Sequence, residues 1–514
     1  MRLSHTQRSR AKEKTLKMTD QSNVAEASLA GRLRVAESSR GIAIPVLLLA
    51  LILGGGLRFD RLGAEEMNRS EAAAWTAASA PTLKSAIALG LHLDPGALGP
   101  YDALLHGWIA VFGDGVATMR TPSAALGVLA IALVFAAVRE ILRMAGDGAE
   151  RAMTAELAGA FAALLFACNL QMIAWGRISR MYPLMLAAVL AQIFFFARTC
   201  RRAGAFNWMA AGFFGALAAA SNYTALFVFA SEGSWLAYLQ RFGRGRNTSD
   251  QISVQRPVGA LMLGVVLLAP LAVTAGTVGF GALHAGKYEW IEQRPPWWPF
   301  RAIQVVSGNA ALWPLVALSI FGGWRQWSQA DNAVRFILSW LVLPFAMVMA
   351  VSYLLTPFMV ERYVLSSLVA FLALAGLGIA SFRSDIVRYA VAVLVVAQSL
   401  AHVHHHWRVP EDIQWREAAE LAASVVPSGE KIAVMPPGEP LMVLRYYLSR
   451  SKHDIDVVGA DAKLDGHSKT WSFRCGPEPA AIVQLELPRE FLSAIQPCYP
   501  RTLQKFRHVE VLAR

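Results

Sequence analysis

The chain has 514 residues, of which 55% are hydrophobic and only 16% are charged. Because an average soluble domain carries roughly 25% charged residues, this composition excludes an ordinary soluble enzyme, a disordered chain and a disulfide scaffold. The formal net charge is +12, but the basic residues lie mostly between apolar runs, which is typical of membrane topology and not of a nucleic-acid-binding face. The composition therefore predicts a polytopic membrane protein.

The first 119 residues divide into three parts. Residues 1–40 are polar and basic and predict a cytoplasmic tail. The apolar run 41–57 is expected to be an uncleaved first span with its basic flank inside. Residues 58–119 are too acidic to cross a bilayer and predict a long extracytoplasmic loop, with amphipathic helices such as residues 71–91 lying along the membrane surface.

Apolar runs of about 20 residues follow and predict further membrane spans. They cover residues 120–142, 154–175, 181–199, 207–221, 222–240, 257–280, 304–323, 334–354, 363–382 and 386–403. Basic residues flank 207–240 on both sides, so an even number of crossings must lie between them, with Asn222 and Tyr223 at the tip of a hairpin. About eleven spans from a cytoplasmic N-terminus place the C-terminus outside.

Residues 404–514 form a separate unit. The sequence predicts helices at 415–425 and 440–448, with strands at 431–435, 454–458 and 480–485. This alternation indicates a small extracytoplasmic α/β domain. Cys475 and Cys498 both fall here, and either a disulfide or two free thiols fits the sequence.

Charged residues collect at the predicted outer ends of the spans. They are Glu65, Glu66 and Glu71 in the loop, Arg177 and Arg180 before one span, and Arg362 before another. A carboxylate can take a proton from an acceptor hydroxyl, and arginines can hold a departing phosphate through paired hydrogen bonds. The alternative is that the arginines anchor to lipid headgroups, that the acids are solvated, and that nearby tyrosines belong to an interfacial aromatic belt.

Six short motifs occur in order at the ends of the predicted spans. They are Arg61-Leu-Gly-Ala-Glu-Glu-Met-Asn-Arg-Ser-Glu-Ala72; Gly99-Pro-Tyr-Asp-Ala-Leu-Leu-His-Gly-Trp108 with Phe112-Gly-Asp114 and Arg120-Thr-Pro-Ser123; Ser179-Arg-Met-Tyr182; Asn222-Tyr-Thr224; Arg362-Tyr363; and Trp415-Arg416-Glu-Ala-Ala419. In this order they resemble the motifs of the polyprenyl-phosphate-dependent glycosyltransferases of the GT-C superfamily, in the protein-mannosyltransferase-like (family 39-like) branch. Two departures stand out: Ser70 occupies the place of the family's catalytic aspartate, and Ile178 replaces a motif acid.

The resemblance implies an all-α, GT-C-like membrane domain over residues 41–403 followed by the small α/β domain. It also implies inverting transfer of a monosaccharide from a polyprenyl-phosphate carrier to an extracytoplasmic lipid A, glycan or protein. Glu71 would be the base, with Glu65 or Glu66 as substitutes, and Arg362, Arg180 and Arg177 would bind the phosphate. The other expected substrate-binding residues are Tyr182, Tyr363, Asp102 and His106.

The same resemblance implies a multi-pass protein of the bacterial cytoplasmic membrane, with membrane lipid, the donor and its acceptor as partners and no nucleic acid. No resident cofactor is expected, although a loosely held divalent cation could assist the phosphate. Two other functions stay open. A flippase or transporter of a lipid-linked sugar would need charges along a path through the membrane. A divergent member without activity would explain Ser70.

Overall fold

The structure is a computed structural model that describes residues 41–146, 148–202, 204–242, 257–269, 312–328, 331–408, 414–435, 438–451 and 455–459, single residues between 291 and 304, and short strands between 462 and 513. The basic tail, Cys475 and Cys498 lie outside the described residues. The helices of the membrane part and its loop are α1 (Gly41–Phe59), α2 (Arg69–Ala78), α3 (Leu83–Leu93), α4 (Pro100–Phe112), α5 (Val116–Arg143), α6 (Ala149–Cys168), α7 (Leu170–Arg177), α8 (Tyr182–Arg201), α9 (Ala205–Ser221), α10 (Leu226–Phe242), α11 (Pro257–Ala269), α12 (Leu312–Gln326), α13 (Asp331–Leu354), α14 (Leu365–Ala380) and α15 (Asp385–Arg408).

Among the described residues, seven helical segments are long and apolar enough to cross a membrane. They are Gly41–Phe59, Val116–Arg143, Glu150–Cys168, Tyr182–Arg201, Asn332–Leu354, Glu361–Ala380 and Asp385–Trp407. This confirms an all-α polytopic membrane protein with a small α/β part. The predicted total of eleven spans stays a prediction. The other four would have to be the shorter helices α9 to α12, and parts of 257–280 and 304–323 lie outside the described residues.

Helices pack closely where small residues let their backbones approach. Gly378 of α14 lies against the Leu318 carbonyl of α12, and a side chain at Gly376 would meet the backbone of Ala162 in α6 at 2.6 Å. Such close contacts replace the hydrophobic driving force that is absent between helices in lipid. They make the span Glu361–Ala380, which contains α14, the most buried of the seven candidate spans, with 94% of its 18-residue apolar stretch inside the protein.

Polar caps break two segments that the sequence predicts to be continuous. The helix expected over 71–91 is two helices, because the chain turns at residues 79–82 and Thr82 caps α3 through the backbone of Ser85. The span expected over 154–175 ends at Cys168, where Asn169 caps α7. The break predicted at Asn222 is present between α9 and α10, where the Asn222 side chain caps the short 3₁₀ turn Tyr223–Ala225, while two membrane crossings there stay a prediction.

The C-terminal part contains α16 (Trp415–Val425) and α17 (Glu439–Leu448). Its strands are β1 (Lys431–Met435), β2 (Asp456–Gly459), β3 (Ala462–Leu464), β4 (Trp471–Phe473), β5 (Ala481–Leu485), β6 (Arg501–Lys505) and β7 (Val509–Ala513). One sheet has the order β2-β1-β5-β7-β6, in which β1 runs parallel to β2 and β5 while β7 runs antiparallel to β5 and β6. The apolar residues of β1 are buried between the helices and the rest of the sheet.

The α/β part packs directly on the loop 58–119. The Met67 amide donates to the Tyr447 hydroxyl at 2.9 Å, and the Tyr446 hydroxyl donates to the Asp114 carbonyl at 3.2 Å. The rings of Trp75 and Tyr446 meet edge to face, with centroids 5.2 Å apart. The loop and the C-terminal part therefore occupy the same face of the helical bundle, as the predicted topology requires.

Candidate functional site

Glu71 lies in the first turn of α2 with both carboxylate oxygens engaged. Arg120 donates to Oε1 from Nε at 2.8 Å and to Oε2 from Nη2 at 2.7 Å. The Ser179 amide donates to Oε1 at 2.8 Å, and the Asn68 amide donates to Oε2 at 3.1 Å as half of a capping box. Glu71 is only 2% exposed. These contacts are those of a buried structural ion pair, so the predicted base is held in the interior by four donors.

Arg120 also holds the backbone of the other two loop acids, Glu65 and Glu66. Arg120 uses its remaining N–H groups on the backbone carbonyls of Glu65 at 3.0 Å and Glu66 at 2.8 Å, while the Glu65 side chain is exposed. The Glu66 carboxylate accepts from the amides of Trp415 at 2.7 Å and Arg416 at 2.9 Å, which are the first two of α16. Burial raises the pKa of Glu66. Glu66 thus caps a helix of the α/β part.

Arg180 is the centre of a second charged cluster. Its Nη1 donates to the Ser70 carbonyl at 3.0 Å, and its Nη2 forms an ion pair with Asp94. Burial alone would lower the pKa of Arg180, but the combined effects of Asp94, Tyr182, Asp102 and Glu439 outweigh it and the pKa is raised. The Asp94 side chain is 29% exposed, so this carboxylate, unlike that of Glu71, is accessible.

Asp102 adds a second carboxylate to the Arg180 cluster. It lies on α4 with its carboxylate against Gly90 of α3, a position that only glycine leaves open. Burial raises the pKa of Asp102 to about 7, with Arg180 opposing and Asp94 reinforcing the shift. Asp102 is therefore a carboxyl group that can hold or release a proton near neutral pH, and its place in the site stays a prediction.

Arg362, at the start of another span, lies near the Arg180 cluster. It stands in the 3₁₀ turn Glu361–Val364, 5.8 Å from the centroid of the Trp175 ring and 5.4 Å from that of Tyr363. The buried Tyr182 packs edge to face on Trp175 at 4.8 Å, within electrostatic range of both Arg180 and Arg362. Two guanidinium groups and an aromatic wall therefore share one region.

Tyr223, in the turn between α9 and α10, borders the region of Arg180 and Arg362. Its amide donates to the Gly96 carbonyl at 3.2 Å, just after Asp94. Its ring centroid lies 6.5 Å from that of Tyr363 and 5.8 Å from that of Phe358. The motif tip predicted from sequence thus contacts both the loop and the Arg362-Tyr363 motif.

Arg177 and His106 occupy other places. Arg177 donates to the carbonyls of Leu57 at 2.9 Å and Asp60 at 2.7 Å and stacks over the Trp407 ring at 5.2 Å. Burial lowers the pKa of Arg177. His106 contacts the Ala78 carbonyl through Nδ1 at 2.8 Å. Both side chains hold loop backbone, so the structure does not bring them together with Arg180 and Arg362.

Asp94 is not among the residues that the sequence singles out. The Asp94-Pro-Gly sequence that ends α3 is a helix-stop signal and could have marked the residue, but not its partner Arg180. Among the described residues, no group of three His, Cys, Asp or Glu side chains converges as a metal site would require. The available chemistry is therefore two partly buried arginines for an anion and two neighbouring carboxylates for a proton.

Solved structures share this architecture. The chain is similar to ArnT from Cupriavidus metallidurans bound to undecaprenyl phosphate, with 12% identity, coverage of 92% of this chain and 98% of that one, and a TM-score of 0.62. The apo state of the same ArnT gives a TM-score of 0.60 at 12% identity, with coverage of 93% and 98%. The Archaeoglobus fulgidus oligosaccharyltransferase in complex with zinc and sulfate gives 0.50 at 12% identity, with coverage of 86% and 68%.

No family model and no curated protein sequence matches the chain. The similarity to solved structures nevertheless extends over nearly the whole chain and includes both the membrane part and the α/β part. The chain therefore shares the fold of these solved structures.

Proposed function

We propose that this protein transfers a monosaccharide from a polyprenyl-phosphate carrier to an extracytoplasmic acceptor. The observation that carries the proposal is the convergence of Arg180 and Arg362, from two different span ends, around the buried Tyr182. A pair of partly buried guanidinium groups suits a planar or tetrahedral anion better than any neutral substrate. The ArnT structure with undecaprenyl phosphate bound supports a lipid phosphate as that anion.

The proposed reaction is a single inverting displacement at the anomeric carbon. The acceptor oxygen forms a bond to that carbon while the bond from the carbon to the phosphate oxygen breaks, and the carrier phosphate leaves with an additional negative charge. Arg180 and Arg362 stabilise that charge in a site that is poorly solvated, where such a contact is worth about 3–4 kcal/mol. Tyr182 and Tyr363 form the wall beside the sugar.

The proposed orientation places this face outside the cytoplasm, in the bacterial cytoplasmic membrane. Support comes from the opposite ends of the helices, where Arg139, Arg143, Arg201 and Arg241 collect. Basic residues prefer the cytoplasmic side. The loop acids and the α/β part would then meet acceptors in the extracytoplasmic space.

The experiment uses the full chain reconstituted in lipid vesicles with a radiolabelled polyprenyl-phosphate pentose or hexose and a lipid A or glycan acceptor. Wild-type protein should form a labelled glycoside. Arg362→Lys keeps the charge but loses the paired donors and should reduce transfer by about 10²–10³-fold. Arg325→Lys, an exposed arginine at the opposite end of the bundle, is the matched control and should not change the rate.

The other functions give different results in the same vesicles. A flippase would move the labelled carrier between leaflets and form no glycosidic bond, while an inactive relative would do neither. Because the proposed step uses no resident metal, EDTA should leave the transfer rate unchanged. Absence of any glycoside with all donors and acceptors tried would refute the proposed function.

A further inference from the structure

The proposed reaction needs a carboxylate that can reach the acceptor hydroxyl, and the expected position lacks one. Position 70 is a serine, whose hydroxyl donates to the Asn68 side chain at 2.8 Å. Glu71, the next residue, is 2% exposed and has donors on both oxygens. Glu71 therefore has no carboxylate lone pair left for a substrate, and Ser70 has no carboxylate at all.

Asp94 lies on the other side of the same guanidinium. Arg180 donates to the Ser70 carbonyl from one terminal nitrogen and to the Asp94 carboxylate from the other. The guanidinium of Arg180 therefore lies between the backbone of residue 70 and the carboxylate of Asp94. It is also 29% exposed, so a substrate can reach it.

Resting on the proposed function, we propose that Asp94 is the catalytic base and that Arg180 holds it until the donor phosphate arrives. The donor phosphodiester carries one negative charge, as a carboxylate does, and its two free oxygens accept paired hydrogen bonds, so it competes with Asp94 for Arg180. Asp102 lies beside this ion pair, close enough for its charge to act on Arg180 and for Asp94 to act on it.

The proton and electron balance of the step is simple. The acceptor hydroxyl gives its proton to an Asp94 carboxylate oxygen as the acceptor oxygen attacks the anomeric carbon. The electron pair of the breaking bond goes to the carrier phosphate, which Arg180 and Arg362 neutralise. Product release then returns the Asp94 proton to solvent and restores its ion pair with Arg180. No oxidant, reductant or metal enters this balance.

The central variant is Asp94→Asn, which retains an oxygen acceptor for Arg180. We expect kcat to fall by about 10²–10⁴-fold, the usual contribution of a general base. Binding of undecaprenyl phosphate, measured by native mass spectrometry of the whole protein, should be unchanged or tighter because a competing anion is removed. A purely structural role for Asp94 would instead weaken binding. Asp60→Asn, an exposed acid of the same loop, is the control.

A rescue separates chemistry from folding. Ser70→Asp in the Asp94→Asn background places a carboxylate on the other side of Arg180 and should raise kcat about tenfold or more over Asp94→Asn alone. Normal transfer by Asp94→Asn, or a loss of carrier binding that the second substitution does not reverse, would overturn the assignment. Either result leaves the proposed function intact, because that function is refuted only if the wild-type protein transfers no sugar.

Discussion

Replacing Glu71 by Gln removes one charge from the most buried ion pair of the site while keeping the shape of the side chain. Arg120 is 3% exposed and would remain in the interior with no carboxylate partner, facing a neutral amide and three backbone carbonyls. Removing one partner of a buried pair costs about 3–5 kcal/mol, since the other charge is left uncompensated. The amides of Ser179 and Asn68 would also lose an ionised acceptor. We therefore expect Glu71→Gln to destabilise the fold severely.

The assay is the midpoint of thermal unfolding in one detergent at one scan rate, because membrane proteins of this size unfold irreversibly and only matched scans can be compared. A second variant, Glu71→Met with Arg120→Met, removes both charges and should recover most of the lost stability. Asp114→Asn supplies the contrast. Its ion pair with Arg450 is partly exposed, 38% and 35%, so its loss should cost less than about 1 kcal/mol.

Two results would refute this reasoning. If Glu71→Gln unfolds at the wild-type temperature and yet transfers no sugar, then Glu71 acts in the chemistry, as the sequence resemblance implies. If the double variant is no more stable than the single one, the cost does not arise from the uncompensated charge on Arg120. Retained transfer by the double variant at low temperature would exclude Glu71 as the base.

Three further predictions use other parts of the chain. Gly378→Ala should lower the unfolding midpoint by an amount equivalent to about 1–3 kcal/mol, because its methyl group would overlap the Leu318 carbonyl. Gly323→Ala, which has open space around it, should be neutral in the same scans. Glu66→Gln should weaken the cap on α16 and increase hydrogen exchange there with little change in the spans. Transfer should rise as pH passes upward through about 7, because Asp102 then ionises beside Asp94 and Arg180, and Asp102→Asn should flatten that rise in a pH–rate profile.

The sequence predicts local structure accurately where one periodic signal dominates. The helix predicted over residues 415–425 and the strand predicted over 431–435 have those bounds in the structure. The break at Asn222 follows from the balance of basic flanks. Predictions failed where a cap interrupts an apolar or amphipathic run, as at Thr82 and Asn169, because a single capping side chain outweighs the continuing helical pattern.

The site could be predicted only in part, for a related reason. Charge at the span ends identifies Arg180 and Arg362, since arginines are expensive inside a membrane and their positions are informative. The pairing of those charges is not visible in sequence. Arg120 lies 49 residues from Glu71, and Arg180 lies 86 residues from Asp94. Only the folded loop shows that Glu71 is satisfied by an arginine and that Asp94 is accessible.

The contacts of Ser70 and Glu71 explain why an acidic residue without a chemical role would still affect transfer. Two neighbouring residues of the loop contact two neighbouring residues of the third motif: Glu71 accepts from the Ser179 amide, and the Ser70 carbonyl accepts from Arg180. A change at Glu71 therefore shifts the backbone that positions Arg180. Such a positioning residue should raise the KM for the donor before it lowers kcat, whereas loss of a base lowers kcat directly. The split between the two constants in Glu71→Gln and Asp94→Asn is the measurement that assigns the two roles.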